Sequence, residues 1–341
     1  MITSLSLKNF KAFEDETFEL GRLNILAGLN NSGKSSVIQA LRLISDGKPL
    51  IGLGQLKEYI RNDSSEFCLE CTQKINNNEK KLQYSFNRTN NVVKPEYGIN
   101  RMDGLVSYIS ADRYGPKNFL PLSIEGAPQT VGCYGENIID LLELCEGRLA
   151  GLRVPNALVI EAEGIKNSIE EWLRVISPGV QFHHERHTLT DIGRIEFNKR
   201  RPAHVGFGLS YTLPIIASVL IHSGQLLTGD IEMALLMIEN PEAHLHPSGQ
   251  TMIGKLLALA ASCGLQIVAE THSDHLLNGV RIAVKEEKLP CTDVKCYFFK
   301  ADNSSSAAAS VEQLAIDKYG MIDYWPDGFF DETEKNLMQL I

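Results

Sequence analysis

The sequence has few of the features that mark an exported or membrane protein. None of its apolar runs approaches the ~20 residues that a helix needs to cross a bilayer. Its start lacks the basic residues and apolar stretch of a secretion signal. Its seven cysteines are scattered and odd in number, which is typical of reduced thiols rather than disulfides. These absences predict a cytoplasmic protein that does not contact a membrane.

Positive charge is also scarce. The 33 Lys and Arg residues are outnumbered by 42 Asp and Glu residues, so that the net charge is −9. Proteins covered by nucleic acid over most of their surface have the opposite balance. The one compact basic cluster, at residues 199–201, is more typical of a solvated loop. The charge does not indicate DNA binding, although it leaves room for a local basic groove.

The apolar pattern of the 341 residues predicts an α/β protein with more than one lobe. Two continuous apolar runs, residues 233–238 and 265–269, indicate parallel strands buried on both faces. No sustained heptad pattern predicts a long coiled coil. The other predicted elements are strands at 66–75 and 81–88, a third antiparallel strand at 105–110, helices at 136–149 and 159–176, short strands within 180–197, and a helix at 211–221 with Pro214 in its first turn.

These elements predict four segments along the chain. Residues 1–145 form an N-terminal lobe with an antiparallel sheet, and residues 146–205 form an accessory helical and β insertion. Residues 206–305 form a C-terminal lobe, and residues 306–341 form a tail. The low-complexity stretch at residues 303–310 predicts a loose loop.

A phosphate-binding loop is the most specific motif in the chain. Residues 28–35 read GLNNSGKS and match the pattern G-x-x-x-x-G-K-[ST] between a strand-like and a helix-like segment. In that context backbone N–H groups and the helix N-terminus bind phosphate, Lys34 reaches the β- and γ-phosphates, and Ser35 binds Mg²⁺. The chain is therefore predicted to bind ATP through Gly28, Asn30, Asn31, Ser32, Gly33, Lys34, Ser35 and Ser36.

Two acidic residues follow the apolar run at 233–238. Glu239 lies where a Walker B carboxylate orients Mg²⁺ and its waters, at the carboxyl end of a buried strand. Glu242 is the candidate general base for water attack, and Asn240 is a candidate amide for orienting that water. The alternative is that both acids simply cap the following helix.

Histidines occur at two notable places. His272 follows the second buried strand and could contact or sense the γ-phosphate. The other place is residues 183–187, which read HHERH and suggest a metal site. Because this stretch is predicted to be a strand, His184 and His187 should point to opposite faces. A polar surface strand is therefore preferred there, and no metal site is predicted.

Several motifs together resemble those of ATPases of the ATP-binding-cassette (ABC) class. They are the start LKNFKAF at 7–13, the phosphate loop, ENPEAHLHP at 239–247 and ETHS at 270–273. Among such AAA-type ATPases the chain resembles RecF-like and overcoming-lysogenization-defect (OLD) proteins. Its WPDGFFD stretch at 325–331 resembles the tail of a subgroup of small bacterial ATPases. The resemblance implies a P-loop NTPase head with a parallel core sheet, an antiparallel β lobe and a helical accessory lobe.

The same resemblance implies a homodimer that sandwiches two ATP molecules, with room for a higher oligomer. Residues 206–210 occupy the position of the signature segment, so Ser210 is expected to bind the partner's γ-phosphate, unless it is an ordinary helix cap. Arg113 is expected in a coupling loop, where it would contact phosphate or the partner chain. Asn240 stands where such ATPases usually carry the catalytic glutamate, which implies either replacement by Glu242 or slow hydrolysis.

The leading functional hypothesis is an ATPase that regulates a separately encoded effector, such as a nuclease or toxin in anti-phage defence. The OLD nuclease domain would not fit in the residues after 273, so no cleavage by this chain alone is expected. The alternatives are a DNA-repair or chromosome ATPase that engages DNA directly, a non-hydrolysing ATP-dependent scaffold, and a small-molecule kinase.

Overall fold

The computed structural model describes residues 1–47, 50, 54–61, 64–76, 78–88, 92–94, 101–123, 128–147, 149–161, 163–187, 189–300 and 309–340. In chain order its elements are β1 (Ile2–Phe10), β2 (Phe13–Glu19), β3 (Leu23–Gly28), α1 (Lys34–Asp46), β4 (Glu66–Ile75), β5 (Asn78–Asn87), β6 (Val92–Lys94), β7 (Leu105–Ile109), β8 (Leu120–Pro121), α2 (Ile138–Glu146), α3 (Ile165–Ile176), β9 (Phe182–His187), β10 (Ile192–Phe197), α4 (Phe207–Thr228), β11 (Ala234–Glu239), α5 (Pro247–Ser262), β12 (Gln266–Thr271), α6 (Asp274–Lys285), β13 (Val294–Lys300), β14 (Ser310–Leu314) and α7 (Glu332–Leu340).

The chain divides into two compact units that are not contiguous in sequence. Unit 1 comprises Met1–Asp103, Glu270–His272 and Cys291–Ile341, and unit 2 comprises Gly104–Ala269 and Ser273–Pro290. The four contiguous segments expected from the sequence stay a prediction. The loop expected at 303–310 falls almost entirely outside the described residues.

Unit 1 contains an antiparallel sheet in the strand order β2-β1-β4-β5-β6. Its buried residues alternate along β4 and β5, and aromatic rings such as Phe10 and Phe67 pack edge to face with centroids 5.3 Å apart. This agrees with the strands predicted near residues 66–88. The third strand predicted for this sheet is wrong, because β7 pairs in parallel with β11 in unit 2. Alternation identifies a strand, but its partner depends on tertiary packing.

A second group of strands in unit 1 carries the phosphate loop. In it β14 pairs antiparallel with β13, and β13 pairs in parallel with β3, so that Phe299 lies opposite Gly28. Phe18 stacks on Phe299 with ring centroids 6.0 Å apart. The hydroxyl of Tyr297 donates a hydrogen bond to the carbonyl oxygen of Glu19 at 2.6 Å. These contacts fix the carboxyl end of β3, where the phosphate loop begins.

Unit 2 contains the neighbouring strands β11 and β7 with residues 266–269 of β12, a small sheet in the order β8-β10-β9, and helices α2 to α6. The residues of β11 up to Ile238 are wholly buried, as the apolar run predicted. Helices α2 and α3 are shorter than the predicted 136–149 and 159–176. Gly147 ends α2, and Gly164, with φ of 97°, precedes the first residue of α3. Neither glycine has helical backbone angles, so each lies just outside its helix.

Helix α4 is the central apolar element of unit 2. It begins at Phe207, four residues earlier than predicted, so that Pro214 lies inside the helix and not in its first turn. The proline ring packs closely over Gly135, where an added Cβ would lie 2.8 Å from Cγ of Pro214. Among the described helices, α4 alone is long and apolar enough to span a membrane, in contrast to the expectation from sequence. However, 78% of its apolar window is buried inside the protein. Such burial is typical of a core helix.

Candidate nucleotide site

The phosphate loop leaves β3 through a backbone conformation that requires glycine. Gly28 has φ of +144°, and a Cβ at this position would lie 2.2 Å from the carbonyl oxygen of Phe299. Gly33 has φ of +105° and is the N-cap residue of α1. Asn31 adopts the left-handed conformation with φ of 61°, which asparagine tolerates better than most residues. The loop therefore curves back on itself immediately before the helix.

The side chain of Lys34 folds under this loop. Its Nζ donates hydrogen bonds to the carbonyl oxygens of Gly28 at 3.1 Å and Leu29 at 2.6 Å. The hydroxyl of Ser32 also donates to Leu29, at 2.7 Å. Burial lowers the pKa of Lys34, while the negative charge of Glu270 acts to raise it. The loop thus encloses one buried cation.

Glu270 and His272 complete the part of the site in unit 1. Oε1 of Glu270 lies 3.9 Å from Nζ of Lys34, and only 9% of this carboxylate side chain is exposed. His272 is exposed at the end of the same strand. Partial desolvation of its ring and, second, the charge of Lys34 lower its pKa, so that the imidazole is neutral at pH 7. Glu270 was not among the predicted site residues, although it ends an apolar run in the sequence as Glu239 does.

The beginning of α1 is suited to binding an anion. No side chain within the described residues caps this helix, and its first turn contains no acidic residue. Ser35, in the first turn of the helix, is half-buried, and Ser36 is buried. Asn30 and Asn31 are exposed on the rim of the loop. Unsatisfied N–H groups and the helix dipole favour a phosphate at such a position. The residues present therefore fit the phosphates of a nucleotide.

Unit 2 contains the acidic turn, residues 239–244. Glu239 ends β11, and its Oε2 accepts a hydrogen bond from the backbone N–H of Ala111 at 3.1 Å. Asn240 and His244 are left-handed, with φ of 45° and 63°. The Oδ1 atom of Asn240 is buried without a hydrogen-bond partner among the described residues. Glu242 is also buried, with 8% of its surface exposed.

Arg113 holds the acidic turn in place. Its Nη1 donates to the carbonyl oxygens of Ser110 at 2.8 Å and Glu239 at 2.7 Å, and its Nη2 donates to that of Asn240 at 2.8 Å. Its guanidinium lies 5.2 Å from the ring centroid of Tyr211. Burial lowers the pKa of Arg113 to about 10, so that the group stays charged at pH 7.

This position corrects the role expected for Arg113. The residue is only 2% exposed, and its hydrogen bonds go to backbone carbonyls rather than outward to a phosphate or a second chain. The prediction from sequence placed it correctly in the loop after a strand. It could not show that the guanidinium is buried, because that depends on carbonyl groups more than 100 residues away.

The signature segment packs against the acidic turn. The ring centroids of Tyr211 and His244 are 4.6 Å apart, and a Cβ at Gly208 would lie 2.9 Å from the carbonyl oxygen of His244. Gly206 is the N-cap of α4, so the alternative interpretation of Ser210 as an ordinary helix cap is wrong. Its Oγ is buried and makes no hydrogen bond within the described part of the chain. Contact with a partner's phosphate would require this hydroxyl to become exposed.

A family model described as "AAA ATPase domain" matches residues 1–173 and 201–277, which include both the phosphate loop and the acidic turn. The chain belongs to this AAA ATPase domain family. A second model, described as "Protein of unknown function (DUF3696)", matches residues 289–340 at the end of the ATPase chain.

Curated relatives of this ATPase include the DNA replication and repair protein RecF of Thermoanaerobacter sp. (strain X514). The two are 28% identical over 173 residues, which are 50% of this chain and 46% of the relative. The chain thus spans about half the length of the curated relatives it matches. A shorter match, 43% identical over 49 residues, is to the uncharacterized protein MJECL10 of Methanocaldococcus jannaschii and covers 14% of this chain and 22% of that protein.

Solved structures show the same fold. An SMC head bound to the C-winged helix domain of ScpA matches with a TM-score of 0.56 and 13% identity, covering 93% of this chain and 98% of that chain. A structure of the recombination mediator RecF matches with a TM-score of 0.52 and 16% identity, covering 92% and 98%. The predicted α/β P-loop ATPase head fold is therefore confirmed, and the chain is similar to RecF in sequence and in fold. The likeness to OLD proteins and the assignment of the tail stay predictions.

Proposed function

We propose that this chain binds and hydrolyses ATP, yielding ADP and phosphate, and that ATP-bound dimerisation regulates a separate effector. The phosphate loop carries the proposal, because Gly28, Gly33 and the buried Lys34 form a cradle closed by an uncapped helix N-terminus. Membership of the AAA ATPase domain family supports it.

Each candidate site residue has a defined role in the proposed reaction. Lys34 neutralises charge on the β- and γ-phosphates, and Ser35 and Glu239 hold Mg²⁺. The metal, when bound, would neutralise charge that develops on the phosphate oxygens. Glu242 accepts the proton of the attacking water, Asn240 orients that water, and His272 senses the γ-phosphate. Glu270 keeps the Lys34 ammonium charged and in position.

The proposed dimer would place the start of α4 and Ser210 against the nucleotide of a second chain. Phe207 in this turn is 51% exposed, and a helix of 22 residues provides a strong N-terminal anion site. The fold likeness to an SMC head whose structure contains a ScpA domain supports a partner-binding function of this kind. A nuclease or toxin effector in cytoplasmic anti-phage defence is the form of this proposal that the OLD-like motifs favour.

Direct action on DNA is the second candidate function. It is favoured by the sequence likeness to RecF, which is named as a DNA replication and repair protein. The net charge of −9 weighs against it. A scaffold that binds ATP without hydrolysis is the third candidate, because Asn240 occupies the usual position of the base.

Steady-state ATP hydrolysis by the purified chain tests these candidates. We expect turnover by the unmodified protein and a loss of about 10²–10³-fold in Lys34→Ala, which removes a donor to developing charge. Glu242→Gln should also lose turnover while it retains ATP and accumulates as a dimer, as measured by light scattering. Lys8→Ala and Glu163→Gln, both at exposed positions, are the matched controls and should remain active.

The outcomes separate the candidate functions. Stimulation of turnover by duplex DNA would favour the repair function over the effector function. Tight ATP binding without turnover in either condition would contradict hydrolysis and support the scaffold. Failure of the unmodified protein to bind ATP would overturn all three.

A further inference from the structure

Two carboxylates lie on one face of α2, outside the nucleotide site. Glu143 and Glu146 are three residues apart, the spacing that places side chains on the same side of a helix. Glu143 is half-buried and Glu146 is exposed. Both are in unit 2, and neither has a role in the proposed ATP hydrolysis.

The side chain of His184, in β9, lies next to these carboxylates. Only 1% of its side chain is exposed, and the ring lies 5.8 Å from the ring of Phe182, nearly parallel to it. Within the described residues neither ring nitrogen makes a hydrogen bond. A buried imidazole without a well-directed hydrogen bond is costly, and a metal ion bound to one of its nitrogens would remove that cost.

The distances within this carboxylate–histidine cluster fit a metal ion. Nε2 of His184 lies 3.3 Å from Oε1 of Glu143, and the ligand atoms of Glu143, Glu146 and His184 all lie within 4.8 Å of one another. Two ligands bound to tetrahedral zinc at 2.0–2.1 Å are about 3.3 Å apart. One pair therefore already has the required spacing, and the third ligand atom lies within 4.8 Å of both.

We propose that Glu143, Glu146 and His184 bind a divalent first-row transition-metal ion. Imidazole with carboxylates favours zinc and its neighbours over Mg²⁺ and Ca²⁺, which prefer oxygen ligands alone. The preferred surface-strand interpretation of residues 183–187 missed this cluster because the partners of His184 come from α2 and not from its own strand. His184 and His187 do lie on opposite faces, as predicted, but a metal site does not require both.

Lys166 is the competitor for this ion. Its Nζ lies 2.6 Å from Oε1 of Glu146, and both side chains are 41% exposed. Because Lys166 is half exposed, its ammonium group can move into solvent when a metal binds. Removing this charge should tighten metal binding.

Calorimetric titration of the metal-free full chain with Zn²⁺, in buffer without nucleotide, tests the proposal. We expect one site whose affinity falls at least about tenfold in His184→Gln and Glu146→Gln, and rises in Lys166→Met. His183→Ala is the matched control, since the neighbouring imidazole is 57% exposed and lies on the other face of β9. Thermal unfolding of each variant shows that it is folded.

Co²⁺ absorption identifies the ligands. Ligand-field bands without sulfur charge-transfer bands, lost in His184→Gln and retained in His183→Ala, would support the site. Thiolate bands would instead assign the ion to the free cysteines and overturn the proposal. An unchanged Zn²⁺ affinity in both His184→Gln and Glu146→Gln, or no binding even in Lys166→Met, would also overturn it. None of these results depends on ATP turnover, so they leave the proposed ATPase function independently testable.

Discussion

The phosphate loop and the acidic turn both follow buried strands, but they are held by different means. The loop is shaped by its own residues, since Gly28 and Gly33 supply its backbone conformation and Lys34 binds its carbonyl oxygens. The acidic turn is held by Arg113, which lies 126 and 127 residues before the carbonyl groups that it binds. One turn is encoded locally, and the other depends on a distant side chain.

This difference explains why the sequence motif of the loop is easy to recognise and the function of Arg113 is not. A local structure requires particular residues at fixed spacing, which a pattern can capture. A turn that is held by a distant side chain needs only backbone carbonyl groups to accept its hydrogen bonds, and every residue has such a group. Its support is therefore invisible in the residues of the turn itself.

Replacing Arg113 should have the largest effect. Arg113→Ala removes a buried guanidinium and leaves three partly buried carbonyl oxygens without their donor. We expect a loss of about 3–5 kcal/mol in the free energy of unfolding, measured with urea. Arg113→Lys should recover only part of it, since an ammonium cannot reproduce the planar fork. Arg194→Ala, which removes a partly exposed ion pair with Glu196, should cost less than about 1 kcal/mol. Equal losses in Arg113→Ala and Arg194→Ala would show that the acidic turn does not need its distant support.

Replacing Gly28 should have the next largest effect and tests how strongly the backbone at the start of the loop is constrained. Gly28→Ala imposes an unfavourable φ and places Cβ 2.2 Å from the carbonyl oxygen of Phe299, so we expect a loss of about 2–4 kcal/mol. Gly151→Ala is the control, because a Cβ there meets nothing within 4 Å. Chemical unfolding of both variants makes the measurement. A Gly28→Ala protein as stable as Gly151→Ala would mean that the loop backbone is not constrained.

Replacing either of the two left-handed asparagines should have the smallest effect on stability, and the two variants can be compared directly. Asn31 in the loop and Asn240 in the acidic turn have φ of 61° and 45°, and alanine at either position should cost about 1 kcal/mol of conformational energy. Asn240→Ala also removes a buried oxygen that lacks a partner among the described residues, which should offset part of that cost. Thermal shifts of the two variants can be compared directly. A larger loss for Asn240 than for Asn31 would contradict this account.

The sequence predicted the elements around the site more accurately than their pairing. Residues 66–75 and the buried run before Glu239 were identified correctly, because side-chain alternation and continuous apolar stretches are local signals. The partner of β7 was predicted wrongly, since periodicity does not reveal which strand lies alongside. The start of α4 was predicted too late because proline is expected in the first turn of a helix. Pro214 instead lies inside α4, where its ring packs against Gly135, and this tertiary contact cannot be predicted from the sequence.

The site residues show the same division. Glycine spacing and the lysine–serine pair of the loop predicted a nucleotide-binding segment from sequence alone, because a tight phosphate cradle admits few other residues. The pairing of Glu270 with Lys34, the burial of Arg113 and the approach of His184 to the carboxylates of α2 each join residues far apart in the chain. A buried charge needs a partner, and the packing of the chain decides which distant residue supplies it. The sequence determined the local geometry of the phosphate loop and predicted its class of ligand, and the tertiary structure decided the partners of the buried charges.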